Sequence, residues 1–248
     1  MHTVRTIKDP DVSMRPMQDE EARIREVYAR RSAARKEYSW FDAGYLFMIQ
    51  QLERRALVSL AQHDMVPLHA KHILEVGCGN GHWLREFLKW GATPENLAGV
   101  DLLPERIDQA RRLSPSGITF TNGNATALGF PDQTFDIVLQ ATVFTSILNH
   151  AVKKKVATEM LRVLRPDGLL LWYDFRVNNP RNRDVRGIDK AEIEKLFPNC
   201  RITLERITLV PPLLRFLAPY TWLGSYLLSA IPWACTHYLG TIRKPAKF

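Results

Sequence analysis

The sequence predicts an α/β fold in which a mostly parallel sheet carries helices on both faces. Three observations point there. Short β-rich apolar runs alternate with helical patterns from His72 onward. The first of those runs ends in a glycine-rich turn, Gly77-Cys78-Gly79-Asn80-Gly81, that opens a helix. The chain of 248 residues, 46% hydrophobic, is long enough to bury one such core with additions.

Taken in order, the first 18 residues (MHTVRTIKDPDVSMRPMQ) read as an arm with no apolar run long enough for a secretory leader. Helical patterns follow at 19–36 and 42–62, ahead of the first strand, so residues 1–62 form an N-terminal unit and 63–248 the α/β domain. Strands are expected at ILEV (73–76), LAGVD (97–101), ITFTN (118–122), FDIVLQA (135–141) and LLLWYDF (169–175). Helices are expected at 82–90, 104–113 and 152–164; in the last, Val152, Val156, Met160 and Leu164 recur every four residues and make one apolar face. Arg165-Pro166-Asp167-Gly168 reads as the turn into the fifth strand. A polar loop, RVNNPRNRDVR (176–186), precedes two further strand-like runs at 201–210 and 236–243, which flank an apolar, aromatic insertion at 211–233.

Composition excludes several classes. Cys78, Cys200 and Cys235 cannot form a disulfide framework and fit a reducing, cytoplasmic setting. His63, His69 and His72 lack a carboxylate or thiolate that would complete a metal set, so no metal is expected. Arg215 and four prolines make 209–235 a poor membrane-spanning helix. The net charge of +8 is uneven: residues 1–36 hold nine basic against six acidic residues, 37–175 thirteen against fifteen, and 176–248 twelve against five.

The glycine turn discriminates between ligands. A dinucleotide fingerprint beginning at Gly77 needs glycine where this chain has His82, which argues against a nicotinamide enzyme. The pattern present is Glu75-x-Gly77-x-Gly79-x-Gly81. It resembles motif I of class I S-adenosylmethionine-dependent methyltransferases, and the resemblance extends through Asp101, Gly123-Asn124-Ala125, the run Phe130 to Val138 and LRVLRPDG (161–168). It is closest in character to the branch that resembles ubiquinone and menaquinone biosynthesis methyltransferases, and it covers about residues 72–175. The resemblance implies a Rossmann-like, seven-stranded, mostly parallel sheet with a C-terminal antiparallel hairpin and added N-terminal helices. It also implies S-adenosyl-L-methionine as cofactor, with Glu75 near the methionyl part, Gly77, Gly79, Asn80 and Gly81 in the turn, and Asp101 on the ribose hydroxyls with Leu102 beside it. Asn124 and Ala125 fall at the adenine, although many relatives have Asp at the position of Asn124, and Gln140 closes the cofactor set at the end of strand four. An added N-terminal segment commonly closes over the cofactor in this family, which brings in Tyr28 and Tyr38; at the same spacing these aromatics equally suit the face packed on the sheet. Cys78, between two glycines, reads as packing.

Methyl transfer to oxygen ordinarily needs a base within hydrogen-bond reach. The candidates are His150, which also suits a helix start or the surface; Asp174 at the end of strand five, which could instead pair with a loop arginine; and His237, which could be a satisfied hairpin histidine. Arg176, Arg181, Arg183 and Arg186 are candidates for an anionic group on the acceptor, against the alternative of a solvated loop. The 211–233 insertion, with Tyr226 on it, reads as a lid over a lipophilic acceptor, a dimer interface, a patch at the inner face of a membrane, or plain core. Strand four ends Gln140-Ala141-Thr142, without the Asn/Asp-Pro-Pro-aromatic motif of base N-methylation, and no RNA-binding module is visible, so nucleic acid is not expected as a partner. The expected activity is methylation of a hydroxyl on a small-molecule or lipid-linked, anionic acceptor. The alternatives are N-methylation of a small metabolite and a catalytically silent cofactor-binding protein.

Overall fold

The computed structural model describes residues 10–33, 39–179 and 182–245, with side chains from residue 18 to 31 in the first stretch. Its seven-stranded sheet consists of β1 (Ile73–Val76), β2 (Leu97–Asp101), β3 (Thr119–Asn122), β4 (Phe135–Ala141), β5 (Leu164–Phe175), β6 (Arg201–Leu209) and β7 (Cys235–Arg243), in the order β3-β2-β1-β4-β5-β7-β6. The first five strands are parallel, and β7 runs antiparallel between β5 and β6. Strand order reverses at β1, with β2 on one side and β4 on the other. The crevice beyond the carboxyl ends of β1 and β4 is therefore the topological switch point where open α/β sheets bind ligands.

Alternation along the strands fills two cores. Leu74, Val76, Val138, Leu170 and Trp172 face α5 (His150–Val163) and α6 (Lys190–Leu196). Ile73, Ile137, Leu139 and Leu171 face α3 (His82–Lys89) and α4 (Pro104–Leu113), where Leu84, Phe87 and Ile107 are buried. Strands β1 and β2 are buried on both sides, which is why they read as unbroken apolar runs.

The boundaries differ from expectation where a local group decides them. Helix α1 spans Pro10–Ala33, so half of the expected arm is helical; Arg23 pairs with Glu20 and Arg25 with Glu21 one turn apart. Helix α2 (Ala43–Gln62) starts where Asp42 accepts from the Tyr45 N–H at 2.8 Å. Helix α5 begins two residues early because Asn149 accepts from the Ala151 and Val152 N–H groups. The 165–168 turn proves to be a bulge inside β5: Phe135 pairs with Leu164 and Ile137 with Leu169. Helix α6, too short to show a period, is capped by Asp189. The 211–233 insertion folds into α7 (Pro211–Leu217) and α8 (Trp222–Ser229). Leu214 and Ala218 pack there with Leu209 of β6 and Phe47 of α2.

Between α5 and α6 the fully buried Lys153 ammonium donates to Glu192 Oε1 at 2.8 Å, and Arg186 donates to the other oxygen of Glu192 at 2.9 Å. Removing one partner of a buried pair leaves an uncompensated charge, whereas an apolar side chain of similar volume removes the charge altogether. Glu192→Gln is expected to destabilise the protein by about 3 kcal/mol, and Lys153→Met by clearly less. Urea unfolding of the two variants checks the order; equal losses would show that the pair carries no such asymmetry.

Candidate functional site

At the end of β1 the chain turns through Gly77 at φ 71° and Gly81 at φ 76°. A Cβ on Gly77 would lie 2.4 Å from Val143 Cγ2, and one on Gly81 would lie 2.9 Å from the Phe120 ring, so neither position admits a side chain. The Gly77 and Cys78 N–H groups donate to Val100 O at 2.7 and 3.0 Å, drawing the turn onto β2. Asp101 completes the junction. Its Oδ2 accepts from the Gly79 N–H at 2.8 Å and its Oδ1 from the Leu103 N–H at 2.9 Å. The next turn joins through the Gly123 N–H, which donates to Asp101 O at 3.0 Å.

These turns floor a cavity of about 370 Å³. Its cover is N-terminal. From α1 come Glu20, Glu21, Ile24 and Tyr28, and from α2 Met48, Ile49 and Leu52. Helix α1 is fastened by named bonds: the Leu148 N–H and the Arg23 guanidinium donate to Glu20, Arg23 donates to Ser146 O, and Asn124 Nδ2 donates to Glu21 Oε2 at 2.7 Å. Burial raises the Glu20 carboxyl, but these donors outweigh it and hold the group below its ordinary value. The Tyr28 ring is 5.0 Å from the Arg106 guanidinium and 5.4 Å from that of Arg31. Asn124 Oδ1 accepts from both the N–H and the hydroxyl of Thr126 at 2.9 Å, which fixes the amide so that its NH₂ faces Glu21. An aspartate at 124 would present a carboxylate to that carboxylate.

The cavity has two poles. The glycine turn, Glu75, Asp101 and Asn124 make one polar and acidic, with Ile24 and Ile147 packed beside Ala125; Met48, Ile49, Leu52 and Trp83 make the other apolar. Glu75 is buried and its Oε2 has no hydrogen-bond partner. Burial first, and the nearby Asp101 second, push its carboxyl well above the ordinary range. Asp101 is also raised by burial, against the two N–H donors that oppose the shift. An orphaned carboxyl oxygen next to a turn that excludes a Cβ at Gly77 and Gly81 is suited to a bound cation, and the remaining lone pairs of Asp101 are suited to hydroxyl donors.

Of the residues expected from sequence to hold the cofactor, Tyr28, Glu75, Gly77, Gly79, Asn80, Asp101, Leu102, Asn124 and Ala125 line the cavity. Gly81 instead shapes the turn. Gln140 lies behind it, accepting from the Val143 N–H at 3.0 Å. Tyr38 falls outside the described residues. The proposed bases are elsewhere. His150 is exposed on the first turn of α5, away from the cavity. Asp174 is fully buried and accepts from the Thr145 hydroxyl at 2.5 Å and the Thr145 N–H at 3.2 Å; burial raises its carboxyl to about 6, and it anchors the loop after β4. His237 lies behind Tyr173, stacked on that ring at 4.7 Å, with burial lowering its imidazole to about 3.

Among the described residues, the arginine loop does not line the cavity either. Arg176 donates to Cys235 O at 2.9 Å, Arg186 is held by Glu192, Arg183 is exposed, and Arg181 falls outside the described residues. None of residues 211–233 lines the cavity, so the insertion is not its lid, and Tyr226 is bonded to Arg54 on the outer surface. Two cavity residues carried no usable signal. Arg106 sits inside an ordinary helical pattern, and His82 drew notice only for not being glycine. The His82 imidazole lies between Trp40 and Trp83, at ring-centroid distances of 6.2 and 5.3 Å, and its Nε2 has no partner. Burial holds it below its ordinary value, Arg85 and Lys89 adding to the shift against Glu86.

Residues 73–168 match a family model described as a methyltransferase domain. A 2-methyl-6-phytyl-1,4-hydroquinone methyltransferase from Synechocystis sp. is 32% identical over 127 residues, 50% of this chain and 38% of that protein. A fatty-acid O-methyltransferase from Mycolicibacterium smegmatis is 36% identical over 137 residues, 55% of this chain and 47% of that protein. The match thus spans less than half the length of these curated relatives. Among solved structures, an S-adenosylmethionine-dependent methyltransferase from Methanosarcina mazei superposes with a TM-score of 0.53 at 17% identity, covering 72% of this chain and 94% of that one. The superposition gives the class I methyltransferase fold, whose solved neighbour depends on S-adenosylmethionine. The residues at the polar pole fit it: Glu75 for the methionyl ammonium, Asp101 for the ribose hydroxyls, and the glycine turn for close backbone approach.

Glu75→Gln is expected to weaken S-adenosylhomocysteine binding by about tenfold to a hundredfold, the value of a charge-assisted hydrogen bond, as read by calorimetry. Because the folded-state carboxyl is raised, its contribution to stability is present below the unfolded value and lost as pH rises through the folded one. The ligand-free variant should therefore melt above the wild type at pH 8, and a lower melting point there would contradict the assignment. His237 works oppositely. With its folded value at about 3, it stays neutral while the unfolded chain takes up a proton below about pH 6.5, so stability falls as pH falls. Between pH 7 and 5, His237→Phe should lose about 2 kcal/mol less than the wild type in urea titrations.

Proposed function

We propose that the protein transfers the methyl group of S-adenosylmethionine to a hydroxyl of a lipophilic acceptor. The observation that carries this reading is a cavity with two poles, in which the carboxylates and glycine turn suited to the cofactor adjoin a wall of Met48, Ile49, Leu52 and Trp83. The printed names of the relatives, a prenylated hydroquinone methyltransferase and a fatty-acid O-methyltransferase, point the same way. The anionic-acceptor expectation rested on the loop arginines and loses its support with them.

The bound cofactor supplies an electrophilic methyl group on a sulfonium. The protein's part is alignment, exclusion of water and movement of one proton. Helices α1 and α2 exclude water by closing over the turn. Glu75 and Asp101 orient through hydrogen bonds at the polar pole. The apolar wall binds the acceptor's hydrocarbon and leaves its hydroxyl at the boundary between the poles. His82 lines the cavity; its Nε2 has no partner and is buried beside Trp40 and Trp83, so taking the hydroxyl proton requires the ring to turn toward the acceptor. Tyr173, whose hydroxyl is bonded to Thr208 Oγ1 at 2.9 Å and held above its ordinary value by burial, is already committed.

The reading is tested by incubating the protein with methyl-labelled cofactor and, separately, a prenylated hydroquinone, a long-chain fatty acid and an alkylamine. Label in the hydroquinone ether is the expected result. Label only in the amine would favour N-methylation, and cofactor binding without transfer to any lipid extract would favour a silent binding protein. His82→Asn is expected to lower kcat by about 10²-fold or more with cofactor affinity unchanged. The wild-type rate should fall on acidification below the ordinary imidazole value, as His82 protonates, and that limb should vanish in the variant. A variant that keeps both the rate and the acid limb would exclude His82 as the base.

A further inference from the structure

The α7–α8 hairpin turns a face of large apolar side chains to solvent. On α8 the exposed residues Trp222, Leu223, Tyr226, Leu227 and Ala230 recur at helical spacing, so they form one continuous stripe. Leu223 is 70% exposed, Phe216 on α7 69%, Tyr220 between the helices 82% and Trp233 after α8 78%. The inner side of the hairpin is well seated, with Leu214, Ala218, Ser225 and Ser229 buried and Gln51 of α2 donating to Ser229 Oγ at 2.6 Å. The outward face is thus a property of a docked element. Apolar patches of this kind on a folded surface mark interaction sites.

Guanidinium groups border the patch. Residues 206–248 contain no aspartate or glutamate, and of their basic residues Arg215 lies on the hairpin, whereas Arg243 and Lys244 sit at the far end of β7 on Asp167 O and Leu164 O. Arg215 is exposed on α7, and the Arg54 guanidinium lies 5.3 Å over the Tyr226 ring and donates to its hydroxyl at 3.2 Å. Glu205, the last acid in the sequence, is taken up by Arg55. An apolar face carrying tryptophan and tyrosine and bordered by the Arg54 and Arg215 guanidinium groups complements the boundary between acyl chains and anionic headgroups; the neighbouring carboxylate of Asp42 is engaged as the cap of α2 by the Tyr45 N–H. A second copy of the chain fits it less well, because two-fold pairing would bring Arg54 and Arg215 of both copies to one patch. Among the described residues no helix is long and apolar enough to cross a membrane, so the contact lies in the plane of the surface.

We propose that the outer face of α7 and α8 docks on a membrane surface that carries anionic lipid headgroups. The proposal rests on the lipophilic-acceptor reading for its purpose. Helix α2 stands between the patch and the cavity, with Phe47 packed on Trp222 at 5.4 Å and Met48, Ile49 and Leu52 lining the cavity. Docking by this face sets the apolar pole one helix away from a lipid reservoir.

Flotation with vesicles tests this without turnover, so its outcome and that of the methyl-transfer assay are separable. The full chain is expected to float with vesicles of equimolar phosphatidylglycerol and phosphatidylcholine, and at least about tenfold less with phosphatidylcholine alone, because each basic residue at an anionic surface adds about 1 kcal/mol. The combined variant Leu223→Ser, Leu227→Ser and Trp233→Ser should lose flotation by about tenfold or more while binding S-adenosylhomocysteine as the wild type does, which certifies its fold. Arg215→Glu should weaken flotation on the anionic vesicles alone. Absence of flotation by the folded wild type would overturn the proposal, as would flotation unaffected by the triple substitution. A concentration-dependent dimer that the triple substitution dissociates, without vesicle binding, would assign the face to a second copy instead.

Discussion

The carboxylate of Asp101 is the point on which the site depends. By accepting one N–H from the glycine turn after β1 and another from the start of the turn after β2, it ties together two loops that the sheet only brings near each other. The arrangement is costly, since burial raises the carboxyl, and it is sustained because both donors are backbone groups that would otherwise lack partners. The third turn hangs on the same residue through the Gly123 N–H and its main-chain oxygen. Three loops at the switch point thus share one anchor, and the floor of the cavity is rigid before any ligand arrives.

The rest of the cavity is assembled from far away in the sequence. Glu21 meets Asn124 across 103 positions and Glu20 meets Leu148 across 128. These bonds place a cover of α1 on a floor of loops, and they explain the local chemistry at 124, where an amide can donate to Glu21 and a carboxylate could not. On the opposite side Lys153, Glu192 and Arg186 perform a structural task for the long loop after β5. Of the described arginines of that loop, Arg176 and Arg186 are taken up by protein partners and Arg183 is exposed at the surface. The described C-terminal basic residues are spread over the surface, with Arg215 on α7 and Arg243 and Lys244 at the far end of β7, which is why the overall basic balance says little about the cavity.

Most of the frame was legible in the chain itself. Strands β1, β2 and β4 and helix α4 fall on the expected residues because each is either an unbroken apolar run or a clear period bounded by glycine, proline or a capping residue. The glycine turn was legible for the same reason, whereas Asp101 stood out only through the family resemblance, and its bonds to the Gly79 and Leu103 N–H groups were not readable from the chain. Boundaries shifted where a cap or a bulge decided them, as at Asn149 and at residues 165–168.

The titratable residues were not legible. Asp174, His150 and His237 all stand at plausible places along the chain, and the structure turns them to Thr145, to solvent and to the back of Tyr173, while His82 reaches the cavity between two tryptophans. Sequence alone determined the strands and the glycine turn, because periodicity and glycine conformation are local properties, while the cofactor expected at the polar pole came from the resemblance of the motifs. Which side chains face the cavity, and that α1 and α2 rather than 211–233 cover it, was decided only by tertiary structure, because direction and contact depend on packing between elements more than a hundred residues apart.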